Sequence, residues 1–578
     1  MSLTRAAITA LEACPRATPG PSRIPAILGA KSRWKPVRRS RTSSLESHRQ
    51  KRWNSTAPES QPSSGVPIHK EPAFEALSTA LSASQPCFGA RGDEITLYTT
   101  PEEFKKAMLE MIKRAKRRIL ISSLYIGASQ AELVDALRSA LTANPHLRVG
   151  IILDYHRATR LAPHTTNPPS TAHLLLPLAE DFGDRCEVYL YRSPNLRGIM
   201  EKIVPERYDE AWGTWHGKWY CVDDEVIISG ANLASSYFTN RQDRYIHLRS
   251  HPTLLSYLFS LTRLYTHYSY HLSPNPSGAL SSLYSVSLPS PKGAPPSTAA
   301  LLWPDRTIHP RSFHSHALAT LTAFQNSWKA ANVQRLRRVD VDTWFWPVIQ
   351  SGVLGLKEEE AALAKVFGAV KQACNDGTGV EVDLTSGYFG LYDKYKKMVI
   401  ASPALTRVIA ASPKANGFYG SKGFSRLIPE GYTLLFSRFS RALTQHRRSY
   451  NPQTRIGVLL KEWSRPGWTY HSKGLWLSPS PPPSAAVSTT SPSSSSGTNP
   501  FLTFVGSSNL STRSLKLDTE LSMVLITSSP TLRRALGNEV RNLDKHAEVV
   551  DEKTWKLEER RVSWLAWILV ALGVEGML

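Results

Sequence analysis

Residues 215–233 read WHGKWYCVDDEVIISGANL, and this stretch decides the fold. His216 and Lys218 stand two positions apart, so in extended chain both point to one face. Two apolar runs, WYCV and EVIIS, flank the polar pair Asp223-Asp224 and predict two strands joined by a tight turn. The second strand ends in Gly230-Ala231-Asn232, a turn that presents an asparagine, and Asp243 follows eleven residues later. A single strand histidine is most often an ordinary core residue, so one copy of this pattern carries little weight.

The pattern occurs twice. His471-Ser-Lys473-Gly-Leu-Trp-Leu-Ser478 is followed by the low-complexity stretch 478–500 and then by FLTFVGSSNL, with Gly506, Ser507 and Asn509. Glu520 lies eleven residues past Asn509, the same offset as Asp243 from Asn232. The copies differ in two places. Gly230-Ala231-Asn232 reads as one residue shorter than Gly506-Ser-Ser-Asn509 and lacks its serine, and Ser478 stands where the first copy has Asp223.

Around both copies helical and strand patterns alternate. PEEFKKAMLEMIKRAKRR has helical spacing, ILISSLYIG and LRVGIILDY read as buried strands, and AELVDALRSALTA as the helix between them. HSHALATLTAFQNSWKAAN, TGVEVDLTSGYFG, YDKYKKMVIASPA and TRVIAASP repeat that grammar. The expectation is an α/β fold of two similar halves related by a pseudo-twofold, with the site at their interface.

Such an arrangement gathers two histidines, two lysines, two asparagines and two acids. That set suits phosphoryl transfer through a covalent intermediate: one imidazole attacks phosphorus and the other moves the protons. Lys218, Lys473, Asn232 and Asn509 would stabilise the charge on the equatorial oxygens. Asp243 and Glu520 would hold the second ring nitrogens and fix the tautomers. The lysines supply the positive field, so neither a metal nor a cofactor is expected.

HxKxxxxD with GSxN, present here twice, resembles the phospholipase D superfamily. The resemblance implies two α/β/α sandwich halves and the catalytic set His216, Lys218, Asp223, His471 and Lys473, supported by Asn232, Asp243, Asn509 and Glu520. The runs RYDEAWGTWHGKWYCVDDEVIISGANLASSYFTNRQDRY, DLTSGYFGLYDKY and SPKANGFYGSKGFSRLIPEGYT further resemble the eukaryotic mitochondrial phosphatidylglycerophosphate synthases, over roughly residues 85–550. That family's reaction joins CDP-diacylglycerol and glycerol 3-phosphate into phosphatidylglycerophosphate and CMP, towards phosphatidylglycerol and cardiolipin. The resemblance implies His216 as nucleophile and His471 as general acid and base. Arg157, Arg160 and Arg207, with Asp154 and Glu210 near them, are candidate phosphate contacts, as are Ser122 and Gly127 through the backbone of SSLYIGAS. The rivals are a serine-accepting or cardiolipin-forming transferase of the same fold, a nucleic-acid phosphodiesterase, and a catalytically dead scaffold.

Composition frames these readings. The 578 residues carry a net charge of +23, which suits an anionic partner, nucleic acid, nucleotide or acidic lipid; the resemblance, not the charge, implies an anionic membrane and no nucleic acid. Five scattered cysteines with no CxxC pair exclude a disulfide framework or a thiolate zinc site. Residues 1–60 hold 12 Lys/Arg against 3 acids and read as a mitochondrial transit-type segment. The expected order is then a linker 61–84, a first half 85–272, a Pro/Ser-rich linker 273–299, and a second half 300–550 with a disordered insertion at 478–500. The apolar segment 551–578, with Trp555, Trp564 and Trp567, is too short to span a bilayer and is read as lying in the membrane interface. The expected place is the matrix face of the mitochondrial inner membrane.

Overall fold

Two large sheets carry the chain, and both are wound the same way. In the first the order is Ile95–Tyr98, Tyr245–Leu248, Glu225–Ser229, Trp219–Val222, Arg118–Ser122, Arg148–Asp154, Cys186–Tyr191 and Ser269–Ser273, then Ala300–Leu302 and Val286–Ser287 at the edge. In the second it is Thr343–Ser351, Thr519–Thr527, Leu502–Gly506, Lys473–Pro479, Val380–Ser386, Leu405–Ala411, Val458–Trp463 and Ala547–Val549. The strand senses agree position by position. Arg118–Ser122, Arg148–Asp154 and Cys186–Tyr191 run parallel, as do Val380–Ser386, Leu405–Ala411 and Val458–Trp463, while the remaining pairs of the shared order are antiparallel. The repeat legible in the motifs is therefore a repeat of whole sheets. This computed structural model describes residues 72–162, 167–204, 206–276, 283–335, 340–480 and 498–571, all within the unit Pro62–Leu578. The transit-type segment 1–60 and most of the 478–500 insertion lie outside the described residues.

Alternation along the strands divides the core. Leu521, Met523 and Leu525 join the cluster built around the first sheet, with Phe345 and Val505. Their neighbours Val524 and Ile526 face the other way, into a separate core with Phe504, Leu502 and Trp346. One face of the second sheet thus shares a core with the first sheet.

Three boundaries differ from the sequence expectation. Within the supposed linker 61–84, Pro72–Ser84 is a helix that buries Phe74, Leu77 and Leu81 and packs against the helix Glu358–Asn375. The chain next adds Phe88–Ala90 to the edge of the second sheet before Ile95–Tyr98 joins the first. A short, Ala/Ser-rich helix with only three large apolar side chains reads as linker, although Phe74, Leu77 and Leu81 are spaced for one face. The Pro/Ser-rich stretch 273–299 contains the edge strand Val286–Ser287, because edge pairing needs backbone rather than an apolar side chain. Ala300–Leu302 pairs with Ser269–Ser273, and the helix His314–Arg335 packs on Pro252–Thr266, so the chain stays with the first sheet well past residue 300.

Candidate active site

Each motif histidine lies in the extended approach to its strand, and a short ladder ties that approach to the opposite half. The His216 N–H donates to the Thr519 carbonyl at 2.9 Å, and the Thr519 N–H donates to the Thr214 carbonyl at 2.9 Å. The His471 N–H donates to the Gln242 carbonyl at 2.8 Å, where Thr469-Tyr470 runs parallel to Arg241-Gln242. These ladders bring each acid to the histidine of the other half. His216 Nδ1 lies 2.8 and 2.9 Å from the Glu520 carboxylate oxygens. His471 Nδ1 lies 2.6 Å from Asp243 Oδ2. A neutral ring that donates its Nδ1–H to the carboxylate carries its lone pair on Nε2.

The first ladder has a firm base. The Trp215 N–H donates to Asp154 Oδ2 at 3.0 Å and its indole N–H to Ser122 Oγ at 3.0 Å, and Ser122 in turn donates to the Gly217 carbonyl at 2.8 Å. The Gly127 N–H donates to the Leu233 carbonyl at 2.7 Å. Ser122 and Gly127, read from sequence as phosphate contacts, are thus used in seating the motif. Arg157 and Arg160 share the Glu210 carboxylate, so that acid offsets one of the two charges proposed for phosphate. Arg207 sits in the turn Glu206–Trp212, and its side chain lies outside the described residues.

Asp223 is a correction to the catalytic set. It accepts the backbone N–H groups of Lys116, Arg117 and Arg118 at 2.8, 2.8 and 3.1 Å, in the turn at the far end of the strand Trp219–Val222. It braces the sheet and does not reach the histidines, which is why Ser478 can stand in its place in the second copy.

The shortened turn is also only apparent. Ser229 pairs with Tyr245 and Gly506 with Ser522, and each partner lies two residues past its acid. Ser229 therefore matches Gly506, and Gly230 matches Ser507. Ser507 Oγ donates to Glu520 Oε2 at 2.5 Å. At Gly230 there is no side chain, and the Lys473 ammonium fills that space, 3.2 Å from Asp243 Oδ2 and 2.7 Å from His471 Nδ1. A Cβ on Gly230 would run into Lys473 Nζ and lie 2.6 Å from Asp243 Oδ1. Lys218 instead donates to the His216 carbonyl at 2.6 Å. The two half-sites repeat in topology and differ in charge placement.

Electrostatics follow from this asymmetry. Burial lowers Lys218 to about 7, with Lys473 adding to the push and Glu520 opposing it. Burial likewise lowers Lys473, against the pull of Asp243. Burial and the Lys473 ammonium hold His471 well below the usual imidazole range despite Asp243. Burial would raise Asp243, but Lys473 and His471 outweigh it and keep the carboxylate ionised. Burial pushes Glu520 up too, and His216 and Lys218 overcome it to leave Glu520 low.

Of the two motif asparagines, Asn232 reaches the site. Asn232 Nδ2 donates to Tyr237 Oη at 3.0 Å, and that oxygen lies 3.4 Å from His471 Nε2. The Oδ1 atoms of Asn232 and Asn509 are buried with no hydrogen-bond partner among the described residues. Buried, unpaired acceptors in both motif turns suit a ligand that brings its own donors. His216, Asp518 and Glu520 also place potential ligand atoms within 4.8 Å of one another. Those carboxylates already hold the Thr214 N–H and hydroxyl, Arg513, the Ser507 hydroxyl and the His216 ring, so a cation there would displace existing partners. Sequence reasoning missed Arg513, Asp518 and the part played by Tyr237 and Arg241, although the last two lie in the run YFTNRQDRY already singled out.

A family model described as "Cardiolipin synthase, PLD-like domain" matches residues 108–258. The CDP-diacylglycerol–glycerol-3-phosphate 3-phosphatidyltransferase of Schizosaccharomyces pombe is 33% identical over 514 residues, 84% of this chain and 95% of that protein. The Homo sapiens protein of that name, termed mitochondrial, is 31% identical over 501 residues, 84% of this chain and 83% of its own length. Among solved structures, the phosphatidylserine synthase of Haemophilus influenzae superposes with a TM-score of 0.57 at 18% identity, over 87% of this chain and 99% of that one. That likeness speaks for the fold alone.

Proposed function

Since the chain belongs to the CDP-diacylglycerol–glycerol-3-phosphate 3-phosphatidyltransferase family, we infer that it transfers the phosphatidyl group of CDP-diacylglycerol to glycerol 3-phosphate. The products are phosphatidylglycerophosphate and CMP. The observation that carries the mechanism is the pair of imidazoles, each with its Nδ1 on the acid of the other half.

In the first step His216 Nε2 attacks the phosphorus that bears the diacylglycerol, a P–N bond forms, and the P–O bond to CMP breaks with its electron pair going to CMP. In the second the glycerol 3-phosphate hydroxyl gives its proton to His471 Nε2 and attacks the same phosphorus, and the P–N bond breaks. The asymmetry of the site supports this division. CMP leaves as a phosphate, whose second pKa is about 6, and needs little help from an acid. The alcohol is the hard proton to remove, and it calls for an unprotonated base. Lys473 and burial keep His471 in that form. Lys218, Lys473, Asn232 and Asn509 face the equatorial oxygens, and a bound phosphate restores the charge that burial weakens on Lys218.

The test is transfer itself. The purified chain in detergent, given CDP-diacylglycerol and labelled glycerol 3-phosphate, forms labelled phosphatidylglycerophosphate. Product only with serine or phosphatidylglycerol as acceptor would sink the assignment. Within the site, Gly230→Ala lowers kcat at least tenfold, because the methyl displaces Lys473 from Asp243 while the backbone needs no glycine there. A kcat within twofold of wild type would show that Lys473 has no fixed place in catalysis.

We place this chemistry at a lipid surface. The helix Trp564–Ala571 docks on Leu427–Gln445 through Ala566 and Val570, and Glu430 accepts the Ser563 N–H at 2.7 Å. Its other side leaves Trp564 75% and Trp567 54% exposed, with Ile568 also outward. No helix among the described residues is long and apolar enough to cross a membrane. The reading is peripheral insertion of the tryptophans into an anionic leaflet, on the matrix face of the mitochondrial inner membrane, in line with the mitochondrial names of relatives. The double variant Trp564→Ala/Trp567→Ala binds anionic vesicles roughly tenfold more weakly in flotation. Equal flotation would remove this helix from the membrane contact.

A further inference from the structure

Of the arginines around the catalytic centre, Arg157, Arg160, Arg244 and Arg513 each have a carboxylate within ion-pair distance, and Arg241 differs from them. Arg157 and Arg160 hold Glu210, Arg513 holds Asp518 at 2.9 Å, and Arg244 holds Glu539 at 2.9 Å. Arg241 has no carboxylate within ion-pair distance among the described residues. Its Nη1 donates to Tyr237 Oη at 3.0 Å, its guanidinium lies 4.4 Å over the Tyr237 ring, and its Nε is buried without a partner. Burial works against its charge, and the phenols of Tyr237, Tyr388 and Tyr125 are its neighbours. A half-buried guanidinium with a buried, unpartnered Nε and no counter-ion is suited to an anionic ligand.

Its position tells what that ligand is. Tyr237 Oη touches both Arg241 Nη1 and His471 Nε2, so the guanidinium stands one phenol away from the base. Tyr388, edge-on to His471 at 5.4 Å, closes the other side. A Cβ on Gly417 would lie 3.2 Å from Arg241 Nη2 and 3.0 Å from Tyr388 Oη. The Gly417 backbone does not require glycine, so the missing side chain serves the close approach of Arg241 and Tyr388 to that backbone. This is the His471 side of the phosphorus, where CMP departs and the acceptor enters. In glycerol 3-phosphate the reacting hydroxyl and the phosphate are three carbons apart, a span of about 5 Å.

We propose that Arg241, framed by Tyr237, Tyr388 and the Gly417 backbone, forms a phosphomonoester subsite that holds the phosphate of glycerol 3-phosphate while His471 takes the proton from its hydroxyl. The subsite rests on the transferase reading above. CMP presents the same chemical group on the same side, so two half-reactions separate the sources. Exchange of labelled CMP into CDP-diacylglycerol, without acceptor, reports the donor side; transfer to glycerol 3-phosphate reports both.

For Arg241→Gln the KM for glycerol 3-phosphate rises about 10–100-fold, the loss expected for a charged hydrogen bond, and this rise exceeds any loss in CMP exchange at least tenfold. Arg241→Lys lies between wild type and Arg241→Gln. Gly417→Ala, with the guanidinium intact, raises the same KM. Glycerol 3-phosphate raises the thermal midpoint of the wild type more than that of Arg241→Gln, a readout independent of turnover. Equal losses in exchange and transfer would keep the subsite and assign it to CMP as well. An unchanged KM with a fall in kcat alone would reduce Arg241 to a brace for Tyr237 and overturn the proposal. A wild type that performs neither exchange nor transfer would overturn the transferase reading instead.

Discussion

His216→Ala leaves no measurable transfer, at least about 10⁴-fold below wild type, and forms no phosphatidyl-enzyme. The loss is large because the imidazole supplies the attacking atom, and neither Lys218 nor Glu520 can replace it. His471→Ala behaves differently. Expulsion of CMP needs little acid, so CDP-diacylglycerol labelled on the diacylglycerol phosphate still loads His216, but the alcohol then meets no base. Label therefore accumulates on the peptide that contains His216, as an acid-labile, alkali-stable adduct, while turnover stays low. Quenching each protein within the first turnover and mapping the label decides it. Label on the His471 peptide of the wild type would reverse the two roles. Each ring pairs with a buried acid, so both variants also lose some stability, and the thermal midpoint is measured beside activity to show that each remains folded at the assay temperature.

Much of this centre was readable before any coordinates. Two His-x-Lys pairs and two asparagines, each eleven residues before an acid, identify the repeat, and the sheets follow the same strand order around both copies. The crosswise pairing was not readable. Asp243 is close in sequence to His216, yet it serves His471, because the ladders Arg241-Gln242 with Thr469-Tyr470 and Trp215 with Thr519 form between halves. Spacing within one motif holds no information on which half an acid faces. Asp223 shows the opposite error: it belongs to the motif by pattern, yet its carboxylate caps backbone N–H groups at the far end of the strand. Gly230 looked like a defect in the turn and is instead the space that Lys473 occupies, which only the strand register reveals. Arg241 differs from its neighbours by lacking an acid, and a missing partner leaves no mark in a linear sequence.

Glu539→Gln lowers the stability of the fold by about 3–5 kcal/mol, the usual cost of stripping one partner from a buried ion pair. Arg244 is 1% exposed and joins the first half to the second. Its Nε and Nη2 each lie 2.9 Å from Glu539, Nη1 donates to the Phe504 carbonyl at 2.9 Å and to the Lys473 carbonyl at 3.3 Å, and the guanidinium lies 3.8 Å over Trp476. Removing the carboxylate leaves that cation in the core with no counter-charge. A fall in the thermal midpoint of several degrees follows, whereas Glu558→Gln, which breaks the exposed pair with Arg561, causes none. Equal midpoints for the two variants would mean that water reaches Arg244. The double variant Arg244→Met/Glu539→Leu separates stability from function. With both charges gone the core regains an apolar packing and most of the lost stability returns. Activity does not return with it, because Arg244 follows Asp243 directly and its Nη1 holds the carbonyl of Lys473. Without it the acid and the ammonium beside His471 lose their common anchor, and kcat stays low in a protein that is fully folded.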